Sequence, residues 1–391
     1  MITIIQQPDP TRILNPFNDL PFVVESDNSD EDGFSFICDV RVNGVTVSRQ
    51  TKAIIGGLDR TFFDVKSIVE SSLSVSFDTS NDLLKNESAC IVVSCLFGER
   101  YGGVDYIDPG VESDEFNILN GSLTFNESMT LLYGNIDMST SGVLTPGFLT
   151  SRTGDRRSID DTDYMSFFYG KDTYEPEEIV FKKYEPTGSL LATNNITIGT
   201  LDYNSVYTFG AGPKNMRQLF GDSYFTGVSY YTIQIDTKSS IFRYDIIDRC
   251  TEHDLVDVLF LNKFGVFDSF TFDLKTQDSS DIKRSKANVK RGYFDLVSGE
   301  YEYGALRATS RPYDTVVTDK ITLNSNWIDD EKATHLKELF SSPLVYVLRN
   351  GVIEPYDVDD QPYVKKRLIN DWLFNYTITL TAQQSSNRQK I

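Results

Sequence analysis

The chain has 391 residues, of which 40% are hydrophobic and 24% are charged, and its formal net charge is −20. This composition is typical of a globular protein, and the length allows two or three domains. The negative charge argues against a groove that grips DNA or RNA, because such a groove needs lysines and arginines to neutralise phosphates. No run of 18 apolar residues occurs, so we expect no membrane-spanning segment.

Residues 1–155 are predicted to form an N-terminal β-sandwich domain. Apolar residues alternate over residues 34–47 on both sides of Asn43-Gly44, which is the strongest short signal for a β-hairpin. The nearly continuous apolar run at residues 89–97 indicates a central strand that is covered on both faces. The 26 Phe and 21 Tyr, against two Trp, also favour pleated sheets.

The acidic loop before this hairpin matches part of a calcium-binding loop. Asn28, Asp30, Asp32 and Gly33 have the spacing of its first half, and Asp39 stands at the twelfth position, where a carboxylate is required. The residues that follow are patterned as a strand, so no helix is expected to flank the loop. A solvated loop accounts for the same residues, and both interpretations stay open.

A charged stretch at residues 150–163 interrupts the apolar pattern and is interpreted as the first domain boundary. Residues 160–276 then contain about eight candidate strands separated by turns, which predicts a second β-sandwich domain. Residues 277–291 are polar and locally basic, and we predict that they form a linker or an arm.

Residues 292–391 are predicted to form a smaller C-terminal domain of the α+β class that ends in a loose tail. Its clearest helix is predicted over residues 327–340, with Asn326 as the N-cap. The predicted fold class is therefore mainly β: two β-sandwich-like domains followed by a smaller α+β domain.

Few residues are arranged for catalysis. The two histidines are His253 and His335, and His335 is expected on the surface beside the apolar stripe of the predicted helix. Cys250 and His253 form a C-x-x-H pair without a second pair, so a zinc site is not expected. Clusters of acidic residues such as 160–163 are expected by chance among 57 carboxylates. No catalytic residue, metal or cofactor is predicted, and the chain is not expected to be an enzyme.

The cysteines indicate a reducing compartment. Cys38, Cys90, Cys95 and Cys250 form no C-x-x-C pair, and Cys90 and Cys95 are expected on opposite faces of one strand. The N-terminus has no charged segment followed by a long apolar core, so no secretory signal is expected. We therefore predict unpaired thiols and folding in a cytoplasm.

Three segments of the chain are distinctive: the hairpin Leu-Phe-Leu-Asn-Lys-Phe-Gly-Val-Phe-Asp-Ser-Phe-Thr-Phe at 259–272, the helix and strand at 327–347, and the ending Leu-Phe-Asn-Tyr-Thr-Ile-Thr-Leu at 373–380. They resemble structural proteins of tailed bacteriophages that infect Bacteroidetes, crAss-like phages included. The resemblance covers residues 250–385 best. It implies a non-enzymatic virion component of the tail, the baseplate or the rings that join head to tail.

A ring subunit needs β modules, arms that reach neighbouring copies, and interfaces that repeat until rotation closes the ring. The expected partners are copies of the chain itself, most simply in six- or twelve-fold rings around the DNA channel, and neighbouring virion proteins such as the portal and other ring or tail proteins. Negative walls would not trap DNA, and no sequence-specific DNA binding is expected. The expected location is the virion, after assembly in the cytoplasm of the host bacterium.

Basic residues in an acidic chain are candidates for contacts with the acidic face of a neighbouring copy, because complementary charge sets specificity and register. These candidates are Lys283, Arg284, Lys286, Lys290, Arg291, Lys365, Lys366 and Arg367. A merely solvated face is the alternative for these residues. An alternative function is a carbohydrate-binding or adhesin module of a phage or bacterium, with tyrosines as stacking platforms. A polysaccharide hydrolase has the least support, since it rests only on abundant carboxylates.

Overall fold

A computed structural model describes residues 2–78, 80–139, 145–170, 174–249, 253–288, 290–303, 310–349, 351–364, 373–384 and 386–387. Within these residues the fold is mainly β, as predicted, with several antiparallel sheets and four short helices. The chain divides into two compact units. The first unit consists of Met1–Arg249 and Leu261–Ser269, and the second of Cys250–Phe260 and Phe270–Ile391.

The first part of the first unit places two sheets on one core. Its elements are β1 (Ile2–Gln6), β2 (Pro21–Ser26), β3 (Ser35–Val42), β4 (Val45–Lys52), β5 (Arg60–Asp64), α1 (Lys66–Ser72), β6 (Leu84–Asn86), β7 (Cys90–Tyr101), β8 (Val104–Glu112), β9 (Phe116–Leu119), α2 (Phe125–Thr130) and a 3-10 turn (Tyr133–Asn135). One sheet has the order β1-β2-β5, and the other has the order β4-β3-β7-β8 with β9 also paired to β7. Phe22 and Phe63 of the first sheet and Phe36 and Phe97 of the second share one apolar core.

Two local predictions in this part are confirmed. Strands β3 and β4 pair around Asn43 and Gly44, whose φ angles of 50° and 77° are those that this tight turn requires. The continuous apolar run lies in β7, which has β3 on one side and β8 and β9 on the other. Residues 90–99 of β7 are buried except for the half-buried Val92, so both faces of the strand are covered.

The second part of the first unit also has two sheets. Its elements are β10 (Gly154–Arg157), β11 (Tyr164–Tyr169), β12 (Glu178–Tyr184), β13 (Leu190–Thr197), β14 (Ser205–Gly210), α3 (Pro213–Phe220), β15 (Tyr230–Ile235) and β16 (Phe242–Ile246). One sheet has the order β10-β16-β15-β12-β13, and the other has the order β11-β14-β6. Phe167 and Phe209 of the second sheet and Phe181 and Tyr231 of the first meet in a core rich in aromatic rings.

The charged stretch that we interpreted as a domain boundary lies inside the first unit. Strand β10 comes from this stretch and pairs with β16, while β6 of the first part pairs with β14 of the second. The boundary between the units falls instead at two points further along the chain, between residues 260 and 261 and between residues 269 and 270. The apolar pattern lapses at 150–163 because buried side chains there are charged and paired, and not because the backbone is an exposed linker.

The second unit packs a helix against one face of a large sheet. Its elements are β17 (Val256–Leu261), β18 (Phe267–Phe272), β19 (Gln277–Asn288), β20 (Gly292–Phe294), β21 (Tyr301–Tyr303), β22 (Ser310–Asn324), α4 (Asp330–Ser341), β23 (Val345–Arg349), β24 (Val352–Val358), β25 (Thr377–Ala382) and β26 (Ser386–Asn387). The sheet order is β18-β17-β23-β24-β25-β22-β19, with β26 on β22, and β20 pairs only with β21. Leu336 and Leu339 of α4 contact the sheet core around Phe260 and Val347.

Helix α4 confirms the predicted helix but begins three residues later. Its N-cap is Asp329, whose carboxylate accepts a hydrogen bond from the Lys332 amide at 2.9 Å. The prediction of Asn326 as N-cap was wrong, because its backbone has a positive φ of 60° and its side chain binds the Trp327 amide instead. The predicted surface position of His335 was also wrong: the residue is 2% exposed and its ring lies 5.0 Å from that of Phe260. Among the described residues, no helix combines the length and the apolar character needed to cross a membrane.

Candidate functional site

The most distinctive surface feature is a long strand with no core beneath it. Every residue of β19 is exposed, whereas β17 and β18, at the opposite end of the same sheet, are fully buried. Strand β19 is the last strand of its sheet and pairs along its whole length with β22. We call the ribbon formed by β19 and β22 the arm. The segment predicted as a linker or an arm is therefore a paired strand at the edge of the second unit.

Side chains fasten the first half of β19 to the sheet. Arg349 of β23 donates to both carboxylate oxygens of Asp278, at 3.0 and 3.1 Å. Ser280 donates to Asp319 at 2.6 Å, and Lys320 forms an ion pair with Asp281 at 3.4 Å. The base of the arm is thus held in register by polar contacts as well as by the backbone ladder.

The second half of β19 carries positive charge and lacks such contacts. Lys283 faces one side of the ribbon, whereas Arg284 and Lys286 face the other, because side chains alternate along a strand. Opposite them, residues 310–315 of β22 pair with β19 alone in the described part of the chain. Their partners are residues 284–288 of β19, which extend for about 17 Å at about 3.3 Å per residue.

The basic residues of the arm are available for a partner. Lys283, Arg284, Lys286, Lys290 and Arg291 are all exposed. None of them forms an ion pair with another residue in the part of the chain that the structure describes. Residues 282–291 contain these five basic residues and no acidic one, so they carry +5, and the other 381 residues carry −20 − 5 = −25. Residues 282–291 are therefore a positive segment on a strongly negative chain.

The chain between the two arm strands forms a second, apolar hairpin. Strands β20 and β21 pair in register, and the ring of Tyr301 packs over Gly292, where a Cβ atom would collide with it. At the turn, Leu296 is 90% exposed and Val297 is 96% exposed. We call residues 292–303 the tip. Exposed aliphatic side chains at a turn are costly in water, so the tip is also suited to a contact surface.

The structure places five of the eight predicted contact residues in or next to the arm. The other three, Lys365, Lys366 and Arg367, lie outside the described residues. The sequence prediction missed the tip, although aromatic residues flank Ser298-Gly299 on both sides and could have indicated a short hairpin: Tyr293, Phe294, Tyr301 and Tyr303.

A second group of charged residues is buried and was not expected. Arg152, Arg157 and Asp163 are almost fully buried, and Arg152 forms ion pairs with Asp163 at 2.7 Å and with Asp268 at 3.1 Å. Arg157 and Asp155 complete the cluster at 2.8 Å. Burial alone would raise the pKa of Asp163, but Arg152 and Arg157 outweigh it and lower that pKa. These contacts account for the charges as part of the core.

The calcium-loop match does not bring its carboxylates together in the required way. Asp39 lies within β3 and is 5% exposed, and Arg49 of β4 binds both of its oxygens at 2.6 and 2.7 Å. Asn28 donates to Glu99 and the Ser29 hydroxyl donates to Asp59, so both side chains at the start of the loop are also engaged. The carboxylate at the twelfth position already has a cation.

The thiols are buried, as expected from the sequence. Cys38, Cys90 and Cys95 are free, while Cys250 of the C-x-x-H pair lies outside the described residues. A hydrogen bond with Cys95 and burial raise the pKa of Cys38, and burial raises that of Cys90 to about 12. Both thiols are protonated at neutral pH, which makes them poor nucleophiles.

No protein-family model matches this chain, and none of the curated proteins is significantly similar to it.

Proposed function

We propose that this chain is a non-enzymatic structural protein of a tailed-phage virion. It is a ring, collar or tail component that assembles with copies of itself around the DNA channel, in six- or twelve-fold rings. The arm is the observation that carries this proposal. The resemblance of residues 250–385 to phage structural proteins supports the class, with the portal and other ring or tail proteins as further partners.

The stability of the arm supports a partner. A two-stranded ribbon is marginally stable in water unless it packs against another surface. Among the described residues, the second half of β19 has neither a core beneath it nor a side-chain hydrogen bond or ion pair to its own unit. A neighbouring surface that covers the ribbon would remove apolar area from water and keep the strands ordered.

Charge favours a second copy as that neighbour. Residues 282–291, in the second half of β19 and just beyond it, carry +5, and the rest of the same chain carries −25, so a second copy attracts this segment. Such a contact joins unlike patches, and heterologous contacts of this kind close into rings when the rotation allows it. Lysines on an edge strand also discourage indiscriminate strand pairing, which favours one specific docking geometry.

The test compares the assembly of charge-reversed chains by light scattering after size exclusion and by electron microscopy. The arm variant is K283E/R284E/K286E. The control variant is K214E/R156E/K337E. The three control residues are exposed and lie outside the arm. Each variant changes the net charge by 3 × (−2) = −6, from −20 to −26, so the two differ only in where the charge changes.

We expect wild-type protein and the control variant to form a closed oligomer, and the arm variant to be mainly monomeric. The difference in oligomer fraction between the arm variant and the control variant should be greater at low salt, where attraction between opposite charges is screened least. A wild-type chain that stays monomeric at all concentrations, or an arm variant that assembles as well as the control, would contradict the proposal.

A further inference from the structure

The first unit carries a polar groove with a volume of about 680 Å³. Three turns bound it: the β3–β4 turn with Asn43, the β6–β7 turn with Glu87 and Ser88, and the loop before β14 with Tyr203 and Asn204. The third turn lies more than a hundred residues after the second in the sequence, and the pairing of β6 with β14 brings the two together. None of these residues belongs to the arm.

An aromatic platform stands at one side of the groove. Tyr203 is 53% exposed, and one face of its ring stacks on the buried ring of Tyr169, with centroids 5.6 Å apart and an interplanar angle of 18°. Because Tyr169 supports that face, the ring is held in place and its other face remains open. A tyrosine fixed in this way binds with little loss of side-chain entropy.

The backbone around the groove is unusual. Five non-glycine residues have a positive φ in the described part of the chain, and three of them line this groove: Asn43 at 50°, Ser88 at 60° and Asn204 at 54°. Asn43 belongs to an ordinary hairpin turn, but serine is not a residue that favours this conformation. Such positions gather where a surface must present side chains in a defined geometry.

The polar groups of the groove include carboxylates, amides and hydroxyls, so sugar hydroxyl groups can donate to its oxygen atoms. Glu87 and Glu115 contribute carboxylates, whereas the ammonium group of Lys85 is bound by Asp202 at 2.9 Å. A sugar ring offers hydroxyl donors to such acceptors and an apolar C–H face to an aromatic ring. The same carboxylates repel uronic or sialic acids.

We propose that this groove binds a neutral glycan, with one pyranose ring stacked on Tyr203 and its hydroxyl groups donating to the surrounding oxygen atoms. The inference does not depend on the arm or on oligomerisation. It assigns to the first unit a recognition role for which the sequence indicated only that tyrosines are abundant.

The experiment probes the full-length chain on a printed array of bacterial surface glycans that includes neutral and anionic members, followed by calorimetric titration with a neutral oligosaccharide that binds. Wild-type protein should bind neutral glycans and avoid anionic ones. Tyr203→Ala should weaken binding roughly tenfold, while Tyr203→Trp should preserve it. Tyr313→Ala is the matched control, because Tyr313 is similarly exposed but lies on the arm.

A second variant keeps the test independent of folding effects at Tyr203. Glu87→Lys changes an exposed residue and should shift the preference towards anionic glycans. Absence of neutral-glycan binding by wild-type protein, a preference for anionic glycans, or equal binding by wild-type and Tyr203→Ala protein would overturn the inference. Normal assembly of Tyr203→Ala would separate failure here from failure of the proposed ring.

Discussion

Asp163 is predicted to be the most sensitive charged position in the first unit. Its carboxylate accepts hydrogen bonds from Arg152 at 2.7 Å, from the Tyr244 hydroxyl at 2.8 Å and from the Ser269 hydroxyl at 2.7 Å. It also forms an ion pair with Arg157 at 3.4 Å. Asp163→Asn keeps the shape of the side chain but removes its negative charge. It also replaces one carboxylate oxygen with an amide NH2 group, which would face hydrogen-bond donors.

Asp160→Asn provides a matched control. Asp160 also pairs with an arginine at 2.7 Å, Arg217, but its side chain is 64% exposed whereas that of Asp163 is fully buried. Breaking a buried ion pair costs about 3–5 kcal/mol, because the remaining charge is left without compensation. An exposed pair contributes less than about 1 kcal/mol. Asp163→Asn should therefore destabilise the chain by about 3–5 kcal/mol and Asp160→Asn by less than about 1 kcal/mol.

The free energy of unfolding would be measured by urea denaturation followed by circular dichroism. Equal losses of unfolding free energy for the two variants, or a small loss for Asp163→Asn, would refute the view that burial determines how much this cluster contributes to stability. The pH dependence gives a second readout. Because the pKa of Asp163 is lowered from its ordinary value of 3.8, its stabilisation is present above that value and is lost as the pH falls through the folded-state pKa. Asp163→Asn should lack this acid-dependent loss.

Two further predictions concern local contacts. Hydrogen bonds from Thr124 and the ion pair with Lys263 outweigh burial and lower the pKa of Glu127 from 4.5 to about 2. The ionised Glu127 therefore stabilises the folded chain above pH 4.5, and this stabilisation is lost as the pH falls towards 2. Melting temperatures of wild type and Glu127→Gln should therefore converge over that interval, and a constant difference would contradict this assignment. Gly265 and Gly57 both have positive φ, 78° and 76°, but only at Gly265 would a Cβ atom meet a backbone carbonyl. In urea unfolding, Gly57→Ala should cost about 1–2 kcal/mol for backbone strain alone, and Gly265→Ala should cost more; equal losses would show that the close approach is unimportant.

Much of the local structure of this protein can be predicted from its sequence. Alternating apolar residues and the Asn43-Gly44 turn specify the β3–β4 hairpin, since both signals act between neighbours along the chain. The apolar run of β7 and the stripe of α4 were likewise readable, because strand and helix periodicities depend on backbone geometry alone. The mainly β class follows from the sum of such local signals.

Which polar residues are buried could not be predicted in the same way. Arg152 and Asp268 are 116 residues apart, so nothing in the local pattern distinguishes this pair from solvated charges. The same limit applies to His335, which is buried because β17 brings Phe260 against its ring. The exposure of the basic residues of β19 could not be predicted either. It depends on the position of that strand at the end of the described sheet, where it pairs with β22 alone. Burial and pairing depend on contacts between distant segments, and those contacts exist only once the chain has folded.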